Sequence, residues 1–438
     1  MPETPLLQHV RVGDPYDLKG YEGVGGYQSV RKIVGRMSPA DVVEAVKDSG
    51  LRGRGGAGFG TGMKWSFVPQ GEDSPSPKYL VCNADEMEPG TFKDRMLMEG
   101  HPHQLVEGMI CAAYAIQASV GYIFLRAEYR PSELLLLKAI AEAKEAGLLG
   151  ENILGSGWDF ELHLHTSAGR YICGEETALL NALEGRRATP RAKPPFPPAA
   201  GLWGKPTIIN NVETLCNVPH IINHGSEWFK NLAPDSPNGG TKLYGASGKV
   251  KRPGIWELPL GTTIREILEE HAGGMQDGLR FKALLPGGAS TDFLVEQHLD
   301  TPMDYETIAK AGSRLGTGTM IVVDDRTSIV SVVHNLIDFF SRESCGWCTP
   351  CRDGLPFTEQ VLRALKEERG RGGDIDTLRQ HTKYLWLGCT FCALAPGAME
   401  PLMSALKYFE DEFQAAIREA PRPGPANQEP AAAAAAHG

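Results

Sequence analysis

The sequence predicts an α/β protein built in several pieces, and three changes of texture along the chain predict it. Between Tyr79 and Thr214, short β-rich runs alternate with segments of helical periodicity, which implies an α/β layer domain with a largely parallel sheet. At about Thr241 the texture changes to short β-like pieces around one helix, a small α+β domain. Beyond Ser328 the pattern is helical to about Glu419. A chain of 438 residues accommodates such a division, with about two to four domains expected at this length.

In order, residues 1–37 are rich in glycine and tyrosine, show little periodicity and read as an arm. A helix follows. Ser38 is a good N-cap, Pro39 suits the first helical position and Asp41 completes a capping-box-like start. Val42, Val43, Ala45 and Val46 recur at helical spacing, and Gly50 closes the helix. The stretch from Gly50 to Trp65 then carries glycine at 50, 53, 55, 56, 58, 60 and 62. Glycine at that density is costly in a regular element and suits close approach of backbone to a ligand, with successive N–H groups wrapping an anion. Arg52, Arg54 and Lys64 add positive charge, and Phe59 and Trp65 add flat apolar surfaces, a combination that points to a nucleotide. The plain alternative is a flexible surface loop. Gly53 to Gly58 fits G-x-G-x-x-G, but that fingerprint needs a strand before it and here a helix precedes it. Glu72 and Asp73, about 20 positions on, lie in a Gly/Pro/Ser loop rather than at a strand end. A Walker loop fails because Gly62 and Lys64 are not adjacent.

Tyr79 to Asn83 reads as a short buried strand, and Asn83 to Gly90 as the loop at its carboxyl end. A helix over His103–Gln117, a strand over Val120–Arg126, a helix from Pro131 to about Ala146 and a half-exposed strand over Phe160–His165 follow. Gly169 to Thr177 is a loop running into a helix to Glu184. Residues 186–206 are basic and proline-rich and exclude regular structure; order returns at Ile208–Thr214. In parallel sheets ligands gather outside the carboxyl ends of strands, so the acidic loops and the glycine stretch are expected to converge there. The α+β pieces are Leu243–Ala246, Gly254–Leu258, Ala283–Leu285 and Thr319–Val323, around a helix over Ile264–His271 and turns at Pro286–Gly288 and Gly316–Gly318. Three or four helices are expected beyond Ser328, and Pro421–Gly438, rich in Pro and Ala, is expected to be disordered. No internal repeat is present.

A net charge of −10 argues against a general nucleic-acid binder. No apolar run approaches the ~20 residues of a membrane span, and the first 25 residues lack a signal-peptide layout, so a cytoplasmic, soluble protein is expected. In that compartment nine cysteines point to metal or redox chemistry. Cys345, Cys348 and Cys351 stand at steps of three, and Cys389 and Cys392 follow later. A [4Fe–4S] cluster takes four thiolates and accepts a fourth ligand from a distant segment. A zinc site would use the two C-x-x-C pairs and leave Cys351 without a role. Cys82, Cys111, Cys173 and Cys216 have apolar neighbours and read as packed.

Taken together, Gly50–Trp65, Asn83–Arg95, Tyr171–Thr177, Ile209–Thr214 and Glu343–Arg352 resemble, in the same order, the motifs of the flavin-bearing subunit of bacterial NADH:quinone oxidoreductase, respiratory complex I. The resemblance spans about residues 26–418. It implies a Rossmann-like FMN/NADH domain (38–240), a ubiquitin-like β-grasp, SLBB-like domain (241–326) and a helical bundle carrying a [4Fe–4S] cluster (327–420). It implies that Gly53, Arg54, Gly55, Gly56 and Lys64 hold FMN and NADH. Asn83, Asp85, Glu86, Tyr171, Gly174, Glu175, Ile209, Asn210 and Asn211 would line the flavin. Phe59, Phe67 and Phe196 would stack on nicotinamide or adenine, Glu88 would accept from the carboxamide, and Glu176 would stand near the adenosine ribose. Asn210 and Asn211, taken singly, are as readily explained by local backbone bonding. The cluster ligands implied are Cys345, Cys348, Cys351 and Cys392, the last in a Thr390-Phe391-Cys392 context that Cys389 does not share. Hydride would pass from NADH to FMN and single electrons to the cluster, with no protein nucleophile. Onward partners would be a thioredoxin-like [2Fe–2S] subunit and a large multi-cluster iron–sulfur subunit, at the cytoplasmic face of the inner membrane. The rival within the same chemistry is the diaphorase subunit of an NAD-reducing hydrogenase or formate dehydrogenase.

Overall fold

A computed structural model describes residues 3–71 and 74–418; Glu72, Asp73 and the expected disordered tail at 421–438 lie outside the described residues. The N-terminal residues depart from expectation. Instead of an arm they form α1 (Leu18–Gly23) and α2 (Gln28–Arg36), and Leu6, Tyr21, Tyr27, Val30 and Ile33 are buried in the main core. The cause is long-range bonding that local periodicity does not report. Glu257 accepts from the Leu6 and Leu7 amides at 2.9 and 2.8 Å, and Glu142 from the Leu18 amide at 2.8 Å.

α3 (Pro39–Asp48) starts with the expected capping box of Ser38 and Asp41. The glycine stretch ends in α4 (Thr61–Ser66), a helix the glycine density argued against. Gly62 is required there because a Cβ would lie 2.4 Å from Lys47 Cα on α3. The first sheet runs β3–β2–β1–β4, all parallel: β1 (Tyr79–Ala84), β2 (Val120–Leu125), β3 (Glu161–Thr166) and β4 (Thr207–Asn211). Between them lie α5 (Lys93–Gly100), α6 (Pro102–Ile116), α7 (Arg130–Glu145), α8 (Glu176–Leu183) and α9 (Pro197–Ala200). The last of these is one short turn of helix inside the proline-rich segment expected to be irregular. α10 (Val212–His224) and α11 (Ser226–Asn231) follow.

The second sheet, ordered β6–β5–β8–β7, is mixed: β5 (Thr241–Gly248) pairs antiparallel with β6 (Gly254–Pro259) and parallel with β8 (Thr319–Asp324), and β7 (Phe281–Leu285) antiparallel with β8. α12 (Ile264–Glu266) continues into a π turn over Ile267–His271, and α13 (Tyr305–Lys310) precedes β8. Five helices follow among the described residues, where three or four were expected: α14 (Ile329–Glu343), α15 (Thr349–Lys366), α16 (Asp374–Tyr384), α17 (Leu394–Tyr408) and α18 (Glu410–Ala415). One apolar cluster unites Val81 and Ile209 of the first sheet, Ala283 and Leu285 of the second, and Phe340, Leu355 and Met399 of the helices. The three regions therefore share a core at the place where their loops meet.

Candidate functional site

Strand order reverses between β1 and β4, because β1 is followed by β2 on one side and β4 lies on the other. Such a switch point leaves a crevice outside the carboxyl ends of the strands. A cavity of about 280 Å³ opens there. Its walls come from all three regions: the glycine stretch (Gly55, Gly56) and strand-end loops (Asn83, Asn211), the two second-sheet turns (Gly287, Gly316), and the segment Cys392–Leu394.

The glycine stretch folds back on itself. The Gly53 amide donates to the Phe59 carbonyl at 2.8 Å, and Arg52 and Gly60 form an antiparallel bridge. Gly56 has φ +123° and Gly58 φ +66°, and a Cβ on Gly58 would sit 2.5 Å from the Tyr305 ring. At Gly55 a Cβ would come 3.0 Å from Asn211, so this backbone lies tight along the cavity wall. The arginines do not serve the cavity as expected. Arg54 is fully buried and turned away, donating to the Thr241 carbonyl at 3.0 Å and the Tyr305 hydroxyl at 3.2 Å. Its own amide donates to Thr214 Oγ1 at 2.8 Å, so this residue fastens the glycine stretch to α10 and β5. Gly53 likewise is bonded rather than open, its carbonyl accepting from Tyr305 at 2.9 Å.

The acidic residues do line the cavity: Asp85, Glu86, Glu88 and Glu175 all reach it. Each has a structural bond as well. Glu86 accepts from the Asp94 and Arg95 amides at 2.8 and 3.2 Å, closing the start of α5, and from Tyr129 at 3.0 Å. Glu175 Oε2 caps α8 through the Thr177 and Ala178 amides at 2.9 and 2.8 Å. Glu88 accepts from the Tyr171 hydroxyl and the Ser290 amide, both at 2.7 Å, and so ties the first region to the second. Asp85 Oδ1 accepts from Ser167 at 2.8 Å, while its Oδ2 is buried without a partner. A buried polar atom without a partner, on a residue that lines the cavity, fits a site completed by polar ligand atoms. Burial pushes Asp85 and Glu86 up to about 7 and raises Glu88, so an anionic ligand meets less negative charge than the residue count suggests.

Asn83 donates to the Gly174 carbonyl at 3.0 Å, joining two of the expected loops. Asn211 lines the cavity and donates to Asp94 at 2.6 Å. Asn210 does not: the buried Trp65 indole donates to its Oδ1 at 2.9 Å, the local-bonding alternative. Lys64 and Glu176 stand outside the cavity proper. Lys64 Nζ bonds Glu176 at 3.1 Å and the Ile209 carbonyl at 2.9 Å, and Lys193 Nζ bonds Glu176 at 2.5 Å. Burial opposes the Glu176 charge, but these two lysines hold its carboxyl below the usual range. Phe59, Phe67 and Phe196 are 53, 56 and 57% exposed; the first two rings stand 6.2 Å apart, and Lys193 lies 6.0 Å from the third. None of the three rings lines the cavity itself, and together they leave exposed aromatic surface on this part of the molecule.

Two cations at the wall were not foreseen. Lys93 is fully buried between Asp94 and Glu213, at 2.7 and 2.8 Å, and these carboxylates hold it charged against burial. Arg314 pairs with Glu400 of α17 at 2.7 Å. Lys93 lay inside the Asn83–Arg95 segment and a basic residue there was the available signal. Arg314 gave none, since its region read only as turns.

The cysteine segment occupies the adjoining corner. Cys345 and Cys348 lie before α15, Cys351 in its first turn and Cys392 before α17. Burial, opposed by a hydrogen bond with Ser344 and helped by the nearby Cys348, Cys392 and Cys345, pushes Cys351 up to about 12. Yet among the described residues no three His, Cys, Asp or Glu side chains close on a single-ion site. Four thiols drawn from these two segments are the donor set that a [4Fe–4S] cluster takes. Cys389 is exposed, whereas Cys392 is partly buried and also lines the cavity.

Comparison with known proteins agrees with this geometry. Residues 46–220 match the Nuo51 FMN-binding domain, 331–416 the NADH-ubiquinone oxidoreductase-F iron-sulfur binding region, and 246–294 the SLBB domain. The NADH-quinone oxidoreductase F subunits of Salmonella typhimurium and of Escherichia coli are each 61% identical over 420 residues, covering 95% of this chain and 94% of theirs. The F 2 subunit of Rhizobium meliloti is 53% identical, covering 95% of this chain and 98% of its own. Among solved structures, an NAD+-reducing [NiFe]-hydrogenase in the H2-reduced state superposes with a TM-score of 0.80 at 31% identity, covering 93% of this chain and 68% of that one.

Proposed function

The chain belongs to the family of NADH-quinone oxidoreductase F subunits, and on that premise we propose how its residues divide the work. It is an oxidoreductase subunit with NADH as substrate, an FMN-binding domain and a [4Fe–4S] region. When bound, FMN takes up hydride and the cluster carries single electrons, so the protein supplies position and electrostatics. In our reading FMN lies in the switch-point cavity against Gly55, Gly56, Asn83, Tyr171, Gly174 and Asn211, with the glycine backbone approaching it closely. The acids Asp85, Glu86, Glu88 and Glu175 hold the surrounding loops and present neutral or capped oxygens. NADH enters over Phe59, Phe67 and Phe196, with Lys64, Glu176 and Lys193 at its adenosine end. Cys345, Cys348, Cys351 and Cys392 hold the cluster. The single observation that carries this reading is that Cys392 belongs to both sites: it joins the cysteine corner and walls the cavity. The second region is read as a β-grasp domain and the C-terminal helices as a bundle.

The chain works as a peripheral component of a complex with other subunits. No helix among the described residues is long and apolar enough to cross a membrane. For the specific partners we favour a [2Fe–2S] subunit and a multi-cluster iron–sulfur subunit at the cytoplasmic face. Support comes from exposed Trp347, Tyr384, Leu387 and Phe391 beside the cysteine corner, unpaired apolar surface where electrons must leave. The hydrogenase diaphorase reading is weaker, because the full-length match at 61% identity is to the F subunits of NADH-quinone oxidoreductases. The test is FMN rebinding to the flavin-depleted full chain. Gly55→Val fills the space beside Asn211 and should abolish FMN fluorescence quenching while leaving the fold intact. FMN bound by this variant as by the parent would sink the assignment.

A further inference from the structure

Behind the cavity wall lies a buried group of charges that crosses from the first region to the second. Glu213, the second residue of α10, has no exposed side-chain surface. Its Oε2 is shared by Lys93 Nζ at 2.8 Å and Lys242 Nζ at 3.4 Å, and its Oε1 accepts from the Leu243 amide at 2.9 Å. Lys242, on β5, is also completely buried. Its stem runs beneath the turn Gly316–Gly318: a Cβ on Gly318 would meet Lys242 Cε at 2.6 Å. Gly316 and Thr317 of that same turn line the cavity, as do Lys93 and Asp94. Lys242 therefore stands one layer behind the wall from both directions. A lone lysine on a sheet facing core would be expelled or replaced by an apolar residue, since an ammonium is costly to bury unless something uses its charge.

We propose that Lys242 is a positioning residue for the flavin: by sharing the Glu213 carboxylate with Lys93, it leaves one positive charge in excess behind the cavity wall. This rests on the reading of the cavity as the FMN site. The groups facing Lys242 are Glu213 from α10, Lys93 and Asp94 from α5, and Arg54 from the glycine stretch, with Tyr244 on its own strand. Three cations (Arg54, Lys93, Lys242) then stand against two carboxylates (Asp94, Glu213). With Lys242 neutral no positive charge is left over: Asp94 and Glu213 match Lys93 and Arg54, and Glu86 adds a negative charge once it ionises. Glu86, pushed up to about 7, stands beside Lys93 and is largely protonated at pH 6. Burial lowers Lys242 to about 7, so the excess charge is present below neutrality and withdrawn above it. An anionic flavin, and still more its reduced form, is favoured by that charge. Because β5 belongs to the second region, docking of that region sets the electrostatics of the first.

The experiment uses the full chain, depleted of flavin and titrated with FMN at pH 6 and pH 8.5, with the flavin midpoint potential measured by dye equilibration. Lys242→Met should bind FMN about tenfold more weakly than the parent at pH 6, the effect of one unit charge through partly screened protein, and within about twofold at pH 8.5. Its potential should be more negative at pH 6 and should converge on the parent's at pH 8.5. Equal weakening at both pH values marks a packing defect and overturns the proposal. Lys242→Arg, which cannot lose its charge, covers the case where methionine does not fold. Its affinity relative to the parent should rise several-fold between pH 6 and pH 8.5, and a constant ratio overturns the proposal. A parent chain that binds no FMN, or a Gly55→Val chain that binds it normally, overturns the cavity reading itself, and the role of Lys242 falls with it.

Discussion

The switch-point cavity and the cysteine corner touch at Cys392 but are built in opposite ways. The cavity takes one or two residues from each of many elements, and its walls hold only while three regions stay docked through Glu88–Ser290, Arg314–Glu400 and Arg54–Thr241. The corner takes its ligands from two short segments, with Cys345, Cys348 and Cys351 on one of them. The contrast follows from the chemistry. Hydride transfer needs two rings held in one geometry, so many weak constraints must converge. A cluster needs four thiolates and some cover, which local spacing nearly supplies. Loss at the corner should therefore be all-or-none and local, and loss at the cavity graded and coupled to stability.

The largest expected effect is at the corner. Cys392→Ser should lose essentially all cluster iron and the reduced-cluster EPR signal, while Cys389→Ser, at an exposed position, should retain both. The reverse pattern would exchange their roles. At the cavity, Lys93→Met leaves Asp94 and Glu213 buried with one cation fewer. Breaking such a pair costs about 3–5 kcal/mol, seen as a lower midpoint in chemical denaturation of the apo chain. Arg11→Ala breaks an ion pair whose side chains are 46 and 83% exposed and should cost no more than about 1 kcal/mol. Equal effects would erase the distinction between the buried wall and the surface. Asp85→Asn tests the wall by pH. Burial raises Asp85 from 3.8 to about 7, so its contribution to stability is fully present below its unfolded value and is lost as pH rises through the folded one. The asparagine variant should therefore gain stability relative to the parent between pH 4 and pH 8, a change of up to about 4 kcal/mol for a rise from 3.8 to about 7. A parallel pair of stability curves would contradict this. A further test concerns coenzyme choice. Glu176 bonds both Lys64 and Lys193, so Glu176→Gln removes one anion and frees two ammoniums for a 2′-phosphate. The NADPH-to-NADH ratio of kcat/KM should rise about tenfold, worth roughly 1.4 kcal/mol, chiefly through KM. An unchanged ratio would leave Glu176 as a helix-start residue only.

The same contrast decides what was legible in the sequence. The α3 cap, the parallel strands and the presence of an iron–sulfur region are local patterns, and Ser38, Tyr79–Asn83 and Cys345–Cys351 carried them in a few adjacent residues. The N-terminal region was illegible because what holds it is distant in sequence: Glu257 accepts from Leu6 and Leu7, Glu142 from Leu18, and Glu107 from Tyr21 and Ser29. Glycine density misled at α4, where Gly62 serves packing against Lys47 rather than irregularity. At the cavity, residue type announced the chemistry but not its direction. Arg54 looked like a ligand-facing charge, and only the fold turns it toward Tyr305 and Thr241. Lys93 and Arg314 acquire meaning only once α5 and the second sheet are docked.

In the proposed reading one chain holds a hydride site and a separate single-electron site. Cys348→Ser tests it most directly, because Cys348 belongs to the corner and, unlike Cys392, does not wall the cavity. With FMN still bound at parental affinity, we expect NADH oxidation by an artificial acceptor that draws electrons from flavin to persist near the parental rate. Transfer to the natural partner subunits should vanish in the same preparation. Equal loss of both activities with FMN bound and the fold intact would contradict the account.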